Sequence, residues 1–279
     1  MTGLSFEFFP PRSEQATRKL DDAVRSLARF DPSYVSVTYG AGGSTAEGTA
    51  ETLTRIRNRH GLPTAAHVCF GGVRCEHTDA FVDRIWSAGH RRIVALRGDA
   101  DSVEGEGYAD VAGFVAALSD RYPFDVAVAC YPEVHPRASC EEADLDVLLA
   151  KQEAGASHAL SQFFFDAETF LAFRDRARAH GVTMPLVPGL LPIHDIERAI
   201  SFGEKCGSNV PQWVRERFLH AGRNGQSERA VAEELIVETV SDLCREGVGD
   251  LHLYTLNKAA LSDAAAGKFR EFHPVRRAA

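Results

Sequence analysis

Eight short β-rich runs, separated by longer stretches with helical spacing, constrain this chain more than any other feature. The runs are Leu4–Phe9, Tyr34–Tyr39, Thr64–Cys69, Arg92–Leu96, Asp125–Cys130, His158–Phe163, Met184–Pro188 and Leu251–Thr255. Between them lie Ser13–Arg29, Ala46–Arg59, Glu76–Ala88, Asp110–Ser119, Glu141–Ala154, Ala167–His180 and Asp195–Lys205, and a further helical stretch, Glu228–Arg245, precedes the last run. Ser13 is a start signal, and Gly61, Gly89, Gly155 and Gly181 are stop signals. Such alternation demands parallel βαβ units. Eight units close into a barrel; the competing arrangement is an open doubly wound sheet. That sheet's usual Gly-x-Gly-x-x-Gly fingerprint is missing, because the first run leads into Phe8-Phe9-Pro10-Pro11, and there is no Walker A loop. The expected fold class is therefore α/β, a (β/α)8 TIM barrel, with residues 1–279 forming one domain.

Composition narrows the function classes. Lys and Arg number 31 against 39 Asp and Glu, a formal charge of −8, and no basic run occurs. That is not the electrostatic footprint of a nucleic-acid binder. No apolar stretch approaches the roughly 20 residues of a membrane span, and the first residues lack a basic leader. The six cysteines form no Cys-x-x-Cys pair, so neither a disulfide framework nor a structural zinc site is expected. The expected location is the cytoplasm.

Strand parity then separates inward from outward side chains. In a barrel, alternate residues face the helices and the interior. Leu4, Phe6 and Phe8 form an apolar, helix-facing set, which puts Glu7 inside, near the C-terminal rim where barrel enzymes keep their chemistry. A carboxylate there needs a partner or carries a raised pKa. Ser36 and Thr38 share the inward face of the second run, and His67 shares that of the third with Ala65 and Cys69. The fourth run leads into Leu96-Arg97-Gly98-Asp99, the fifth into Tyr131-Pro132-Glu133-Val134-His135-Pro136, and the sixth carries Gln162. Each alone suits a satisfied core residue. Six polar strand ends converging on one rim point to a ligand site. Metal ligation is disfavoured, because no local spacing such as His-x-His occurs. An anionic ligand is better supported: Arg97 and Lys151 supply positive charge, Gly98 allows close approach, and helix N-termini bind phosphates. These residues do not select a flavin dinucleotide over another phosphorylated ligand.

Seven motifs in order go further. Phe6-Glu7-Phe8-Phe9-Pro10-Pro11-Arg12, Val35-Ser36-Val37-Thr38-Tyr39-Gly40, Ala95-Leu96-Arg97-Gly98-Asp99, Tyr131-Pro132-Glu133-Val134-His135-Pro136, Gln162-Phe163-Phe164-Phe165-Asp166, Pro188-Gly189-Leu190-Leu191-Pro192 and Tyr254-Thr255-Leu256-Asn257 resemble the motif series of the methylenetetrahydrofolate reductase family, in its short bacterial form. The resemblance implies FAD at the C-terminal rim. It also implies ping-pong reduction of methylenetetrahydrofolate to methyltetrahydrofolate by NADH or NADPH, within one-carbon metabolism and methionine supply. By motif, Glu7 matches the general acid that protonates folate N10. Asp99 matches the carboxylate beside flavin and pterin, and Gln162 the amide that contacts pterin and nicotinamide. Thr38, Tyr39, His67, Leu96, Arg97, Gly98, Asp99, Tyr108, Ala109, Tyr131, His135, Ala138, Asp144 and Lys151 match cofactor-binding positions. Phe202, Arg198 and Lys258 fall at substrate positions. Val147 and Ala150 stand where polar cofactor contacts are expected, Arg198 where a Gln is expected, and Lys258 where an Arg is expected; Gly42-Gly43-Ser44 also departs from the family loop. Family members are usually oligomeric, so a homo-oligomer is expected. The competing readings are a barrel lyase or aldolase using Glu7 and Asp99, and a non-catalytic folate-binding module.

Overall fold

The computed structural model describes residues 3–39, 45–98 and 107–275. In chain order the elements are β1 (Gly3–Phe8), α1 (Glu14–Ala28), β2 (Tyr34–Val37), α2 (Ala46–His60), β3 (Thr64–Cys69), α3 (Cys75–Ser87), β4 (Arg92–Leu96), α4 (Val111–Arg121), β5 (Asp125–Cys130) and α5 (Glu141–Glu153). They continue with β6 (His158–Ser161), α6 (Ala167–Ala179), β7 (Leu186–Val187), β8 (Gly189–Leu190), α7 (Ile196–Cys206), α8 (Gln212–Asn224), α9 (Glu228–Arg245), β9 (Asp250–Tyr254) and α10 (Ala260–Phe272).

Every strand pairing is parallel, in the order β7-β6-β5-β4-β3-β2-β1-β9-β8. The two ends of that list are neighbours in sequence. Only Pro188 separates β7, which pairs with β6, from β8, which pairs with β9, so the two short strands act as one interrupted staff. Proline has no N–H for the ladder, but its carbonyl accepts the His252 N–H at 2.9 Å. The result is a (β/α)8 TIM barrel.

The expected runs fall on these strands, with small differences at the rim. β1 stops at Phe8, β2 at Val37 and β6 at Ser161, because beyond those points the backbone turns outward to build loops. Helix starts follow side-chain caps: Ser13, Thr45, Asp110, Asp166, Asp195 and Ser227 each accept a backbone N–H of the first turn. Two helices lie outside the expected set. α8 buries Val214, Phe218 and Ala221, and α10 buries Leu261, Ala265 and Phe269. Both carry helical spacing over 13 residues.

The core follows the expected parity. Leu4, Phe6 and Phe8 pack outward with helix residues such as Leu20, Val24 and Leu27. Inside the barrel, Tyr34, Ala65, Val94, Ala127, Leu160 and Val187 meet one another. A separate apolar cluster under α7, α8 and α9 joins Phe163 and Phe165 to Val214, Phe218 and Leu235. It props up the loops beyond β6.

Candidate active site

Glu7 ends β1 pointing inward, with its side chain 19% exposed. Two histidines flank its Oε2, His67 Nε2 from β3 at 3.3 Å and His252 Nε2 from β9 at 3.7 Å. Both rings are buried, and both nitrogens lie at charge-pair distance without closing a well-directed hydrogen bond. Burial, the largest single influence, pushes the Glu7 carboxyl up in pKa; the two histidines together outweigh it and hold it at about 2. Of the two possibilities left by the sequence, the carboxylate has partners rather than a raised pKa. Behind it, His252 Nδ1 lies 2.7 Å from Ser5 Oγ. The strand end is pinned from the far side as well: Asn257 accepts the Phe9 N–H at 3.0 Å and donates to the Phe9 carbonyl at 2.9 Å.

Across the rim, β4 and β5 present a cationic corner. Lys151, on the buried face of α5 with Leu145 and Leu148, donates to the Ala129 carbonyl at 2.8 Å, and burial pushes its pKa down. The His135 N–H donates to Asp144 Oδ2 at 3.0 Å, and its Nδ1 accepts the Arg137 N–H at 3.0 Å. Burial lowers the His135 pKa, Asp144 opposes that, and Lys151 and Arg97 lower it further. Arg97, His135, Asp144 and Lys151 therefore occupy one neighbourhood. Tyr131 sets its ring edge against His135 at 4.4 Å, and Ala138 closes the turn through an N–H donated to the His135 carbonyl at 2.8 Å. Between the two corners, Val134 has φ +68°, which a β-branched residue adopts only under strain.

The third side is aromatic. Phe202 of α7, 44% exposed, stacks on Phe163 at 5.2 Å, and Tyr254 meets Phe163 at 6.3 Å. Gln162 sits at the foot of this wall, its Oε1 accepting the Phe163 N–H at 3.0 Å. Lys258 is exposed, near His194 and Arg229, whose charges lower the His194 pKa after burial has done so.

Several expected site residues make other contacts or lie outside the described residues. Asp99 lies outside the described residues, as does the Gly42-Gly43-Ser44 departure. Tyr39 turns its ring onto Phe81, 5.4 Å away on α3. The Tyr108 hydroxyl is engaged by Asp79 at 2.6 Å, and Ala109 is exposed just before the α4 cap. Arg198 pairs with its own helix cap, Asp195, with its side chain 87% exposed. Leu96 packs on the barrel's inner apolar layer. His252, Tyr254 and His194 were missed. The first two alternate with Leu251 and Leu253, so parity could have found them; His194 sits in a loop with no periodic signal.

Two features fit a group seated at the rim. Thr38 Oγ1 is buried with no hydrogen-bond partner among the described residues. Gly98 has φ +84°, and a Cβ there would meet Cys69 Cβ at 3.0 Å, so only glycine leaves the backbone free to approach a ligand.

A parallel barrel whose rim joins a histidine-flanked carboxylate, a cationic corner and an aromatic wall has the layout of a rim-site barrel enzyme. The family model described as methylenetetrahydrofolate reductase matches residues 1–266. The chain belongs to that family, which sets aside the lyase reading. The 5,10-methylenetetrahydrofolate reductase of Salmonella typhimurium is 38% identical over 262 residues, covering 94% of this chain and 88% of that one. The Escherichia coli protein of the same name is 36% identical over 261 residues, with the same coverage. A maize protein, methylenetetrahydrofolate reductase (NADH) 1, is 32% identical over 274 residues, but only 46% of its length is matched. Among solved structures, an uncharacterized protein from Clostridium thermocellum that binds two copies of 5-methyl-5,6,7,8-tetrahydrofolic acid superposes with a TM-score of 0.64 at 10% identity, over 98% of this chain and 96% of that one. A 2,3-dimethylmalate lyase superposes at 0.53 with 12% identity, over 96% and 78%. Both speak for the fold alone. Among the described residues, no helix is long and apolar enough to cross a membrane.

Proposed function

We propose that this chain, as one catalytic unit over residues 1–279, reduces methylenetetrahydrofolate to methyltetrahydrofolate with NAD(P)H, using non-covalent FAD. The observation that carries the reading is the pairing of Glu7, flanked by His67 and His252, with the Arg97–Lys151 corner across one rim. The orphaned Thr38 hydroxyl and the open backbone at Gly98 support a cofactor seated there. Thr38, His67, Arg97, Gly98, Tyr131, His135, Asp144 and Lys151 would hold FAD. For Tyr39, Leu96, Tyr108, Ala109 and Ala138 only the motif match speaks. When bound, FAD supplies a two-electron carrier between nicotinamide and folate.

The chain's own residues do the rest. Glu7 delivers a proton to folate N10, which opens the five-membered ring to an iminium. The net reaction consumes one proton per turnover along with the hydride. Asp99, one residue beyond Gly98, is proposed to stabilise the iminium's positive charge. Phe202 and Phe163 stack the flat ring systems, and Gln162 orients them by its amide. Lys258, with His194 and Arg229, makes a positive corner suited to the folate carboxylates. Arg198 is proposed for that same tail. A cytoplasmic location is supported by six cysteines that are all free thiols. A homo-oligomer is proposed on the family resemblance.

The test is the visible spectrum of protein incubated with FAD and desalted. We expect a bound flavin band that anaerobic NADH bleaches and methylenetetrahydrofolate restores. A protein that retains no flavin overturns the cofactor assignment; a band that folate fails to restore overturns the substrate.

A further inference from the structure

Against burial, His67 and His252 hold the Glu7 carboxyl well down, at about 2, yet the proposed reaction draws a proton from it at a rim that cofactor and folate would cover. The barrel interior offers a way in from below. His252 is fully buried, and its Nε2, facing Glu7, has no hydrogen-bond partner among the described residues. Its Nδ1 meets Ser5 Oγ at 2.7 Å. Ser5 is the ladder partner of Tyr34, its hydroxyl lowers the Tyr34 pKa against the effect of burial, and the Tyr34 ring stacks on that of His252 at 6.5 Å. Tyr34 reaches across the barrel, from β2 to β6, and sets its hydroxyl 3.2 Å from His158 Nε2. His158 Nδ1 lies 2.9 Å from Ser157 Oγ and 3.6 Å from Asp125 Oδ1. Asp125 opens β5 at the N-terminal face, with its side chain 40% exposed. Around this chain the interior is filled by Ala65, Val94, Ala127, Leu160 and Val187, the aliphatic filling usual for such barrels. Among the described residues the polar file thus runs through an apolar plug.

We propose that Tyr34 and His158 carry protons from the N-terminal face of the barrel to Glu7, on the opposite face from the ligands. This rests on the reductase reading above. For each proton Glu7 gives to folate N10, His252 passes its Nε2 proton to Glu7 and takes one at Nδ1 from Ser5. Ser5 takes one from Tyr34, and Tyr34 from His158 Nε2. His158 takes one at Nδ1 from solvent beside Asp125. Each group gives one proton and receives one, so no charge is left behind. Burial pushes the Tyr34 pKa up, so its hydroxyl accepts and donates together rather than ionising. Tyr34 and His158 touch no ligand and are positioning residues.

The test uses FAD-loaded Tyr34→Phe and His158→Gln in stopped flow. Gln keeps a donor toward Tyr34 but does not exchange a proton. We expect flavin reduction by NADH within about two-fold of the parent, and reoxidation by methylenetetrahydrofolate slowed about ten-fold, a fraction of what a positioned acid supplies. The parent's solvent-isotope proton inventory should be curved and become linear in both variants. In flavin-free protein, histidine nitrogen NMR should show His252 and His158 as Nε2–H tautomers. Reoxidation at the parent rate, equal slowing of both half-reactions, or an Nδ1–H tautomer at His252 overturns the path. A parent that methylenetetrahydrofolate does not reoxidise overturns the reductase reading itself. A reoxidised parent with unaltered variants overturns the path alone.

Discussion

Replacing Glu7 by Gln separates what this side chain does for the fold from what it does for the chemistry. The carboxamide fills the same space between His67 Nε2 and His252 Nε2, 3.3 and 3.7 Å from the present Oε2, and either histidine can donate to or accept from it. What the fold loses is charge. The lost attraction is that of a carboxylate to two imidazoles at charge-pair distance without a closed hydrogen bond, so the structural cost is on the order of 1 kcal/mol. In a chain of this size that is a fall in Tm of about 2–4 °C. The chemical loss is larger: a positioned acid contributes about 10²–10⁴-fold, or about 3–5 kcal/mol of barrier. NADH reducing the flavin needs no proton at folate N10; opening the folate ring does. Anaerobic stopped flow should therefore show flavin reduction near the parent rate and reoxidation by methylenetetrahydrofolate slowed at least about a hundred-fold. Reoxidation close to the parent rate would refute Glu7 as the acid and move that role to Asp99 or a bound water. A loss of Tm well beyond a few degrees would show that the charge holds the barrel together, contrary to the sum above.

Three further outcomes are expected. Burial, with Arg57 and Arg91 adding to it, lowers the His90 pKa from 6.5 to about 4, so the unfolded chain binds the extra proton first: stability is full above about pH 6.5 and falls by about 3 kcal/mol as pH drops toward 4. His90→Gln should flatten that part of the urea-denaturation profile between pH 7 and 4; an unchanged slope would assign the acid sensitivity to another group. Gly189→Ala would drive a Cβ into the Ser161 carbonyl and to 2.7 Å from the Tyr254 ring, costing about 1–3 kcal/mol; a melting curve like the parent's would mean that this part of the barrel yields readily. Lys258→Ala should raise the folate KM several-fold at most, since an exposed charge pair is worth about 0.2–1 kcal/mol, while leaving reduction by NADH alone; equal damage to both half-reactions would make Lys258 structural.

The barrel was legible in the sequence because its determinants are local and periodic. Alternation placed every strand within a few residues, and parity alone put Glu7, Thr38 and His67 on the inner face, where they stand. His252 obeys the same parity rule, alternating with Leu251 and Leu253. Motif spacing was a weaker guide to side-chain direction. Tyr39, Tyr108 and Arg198 occupy their expected chain positions, but Phe81, Asp79 and Asp195 claim their side chains, contacts that depend on packing across elements. The pairing of Glu7 with His67 and His252 is likewise tertiary: Glu7 and His252 are brought together only when β1 meets β9. α8 and α10 are the opposite case, with signals that are local but weak; α10 mixes small and large residues on its buried face, Leu261, Ser262, Ala265, Ala266 and Phe269.

The interrupted staff at Pro188 gives this cylinder a slit. Elsewhere neighbouring strands share three to five residue pairs, whereas β6 with β7 and β8 with β9 share two each. Amide protons along that slit should exchange with solvent before those of β3 and β4. The slit also divides the mouth into unequal halves. The cationic corner rides on the continuous ladder of β4 and β5, while Gln162, Phe163 and Phe202 stand beside the break. The wall proposed to admit two different partners in turn is thus hinged on the barrel's shortest pairings, and the half proposed to keep its cofactor throughout is built on a continuous ladder.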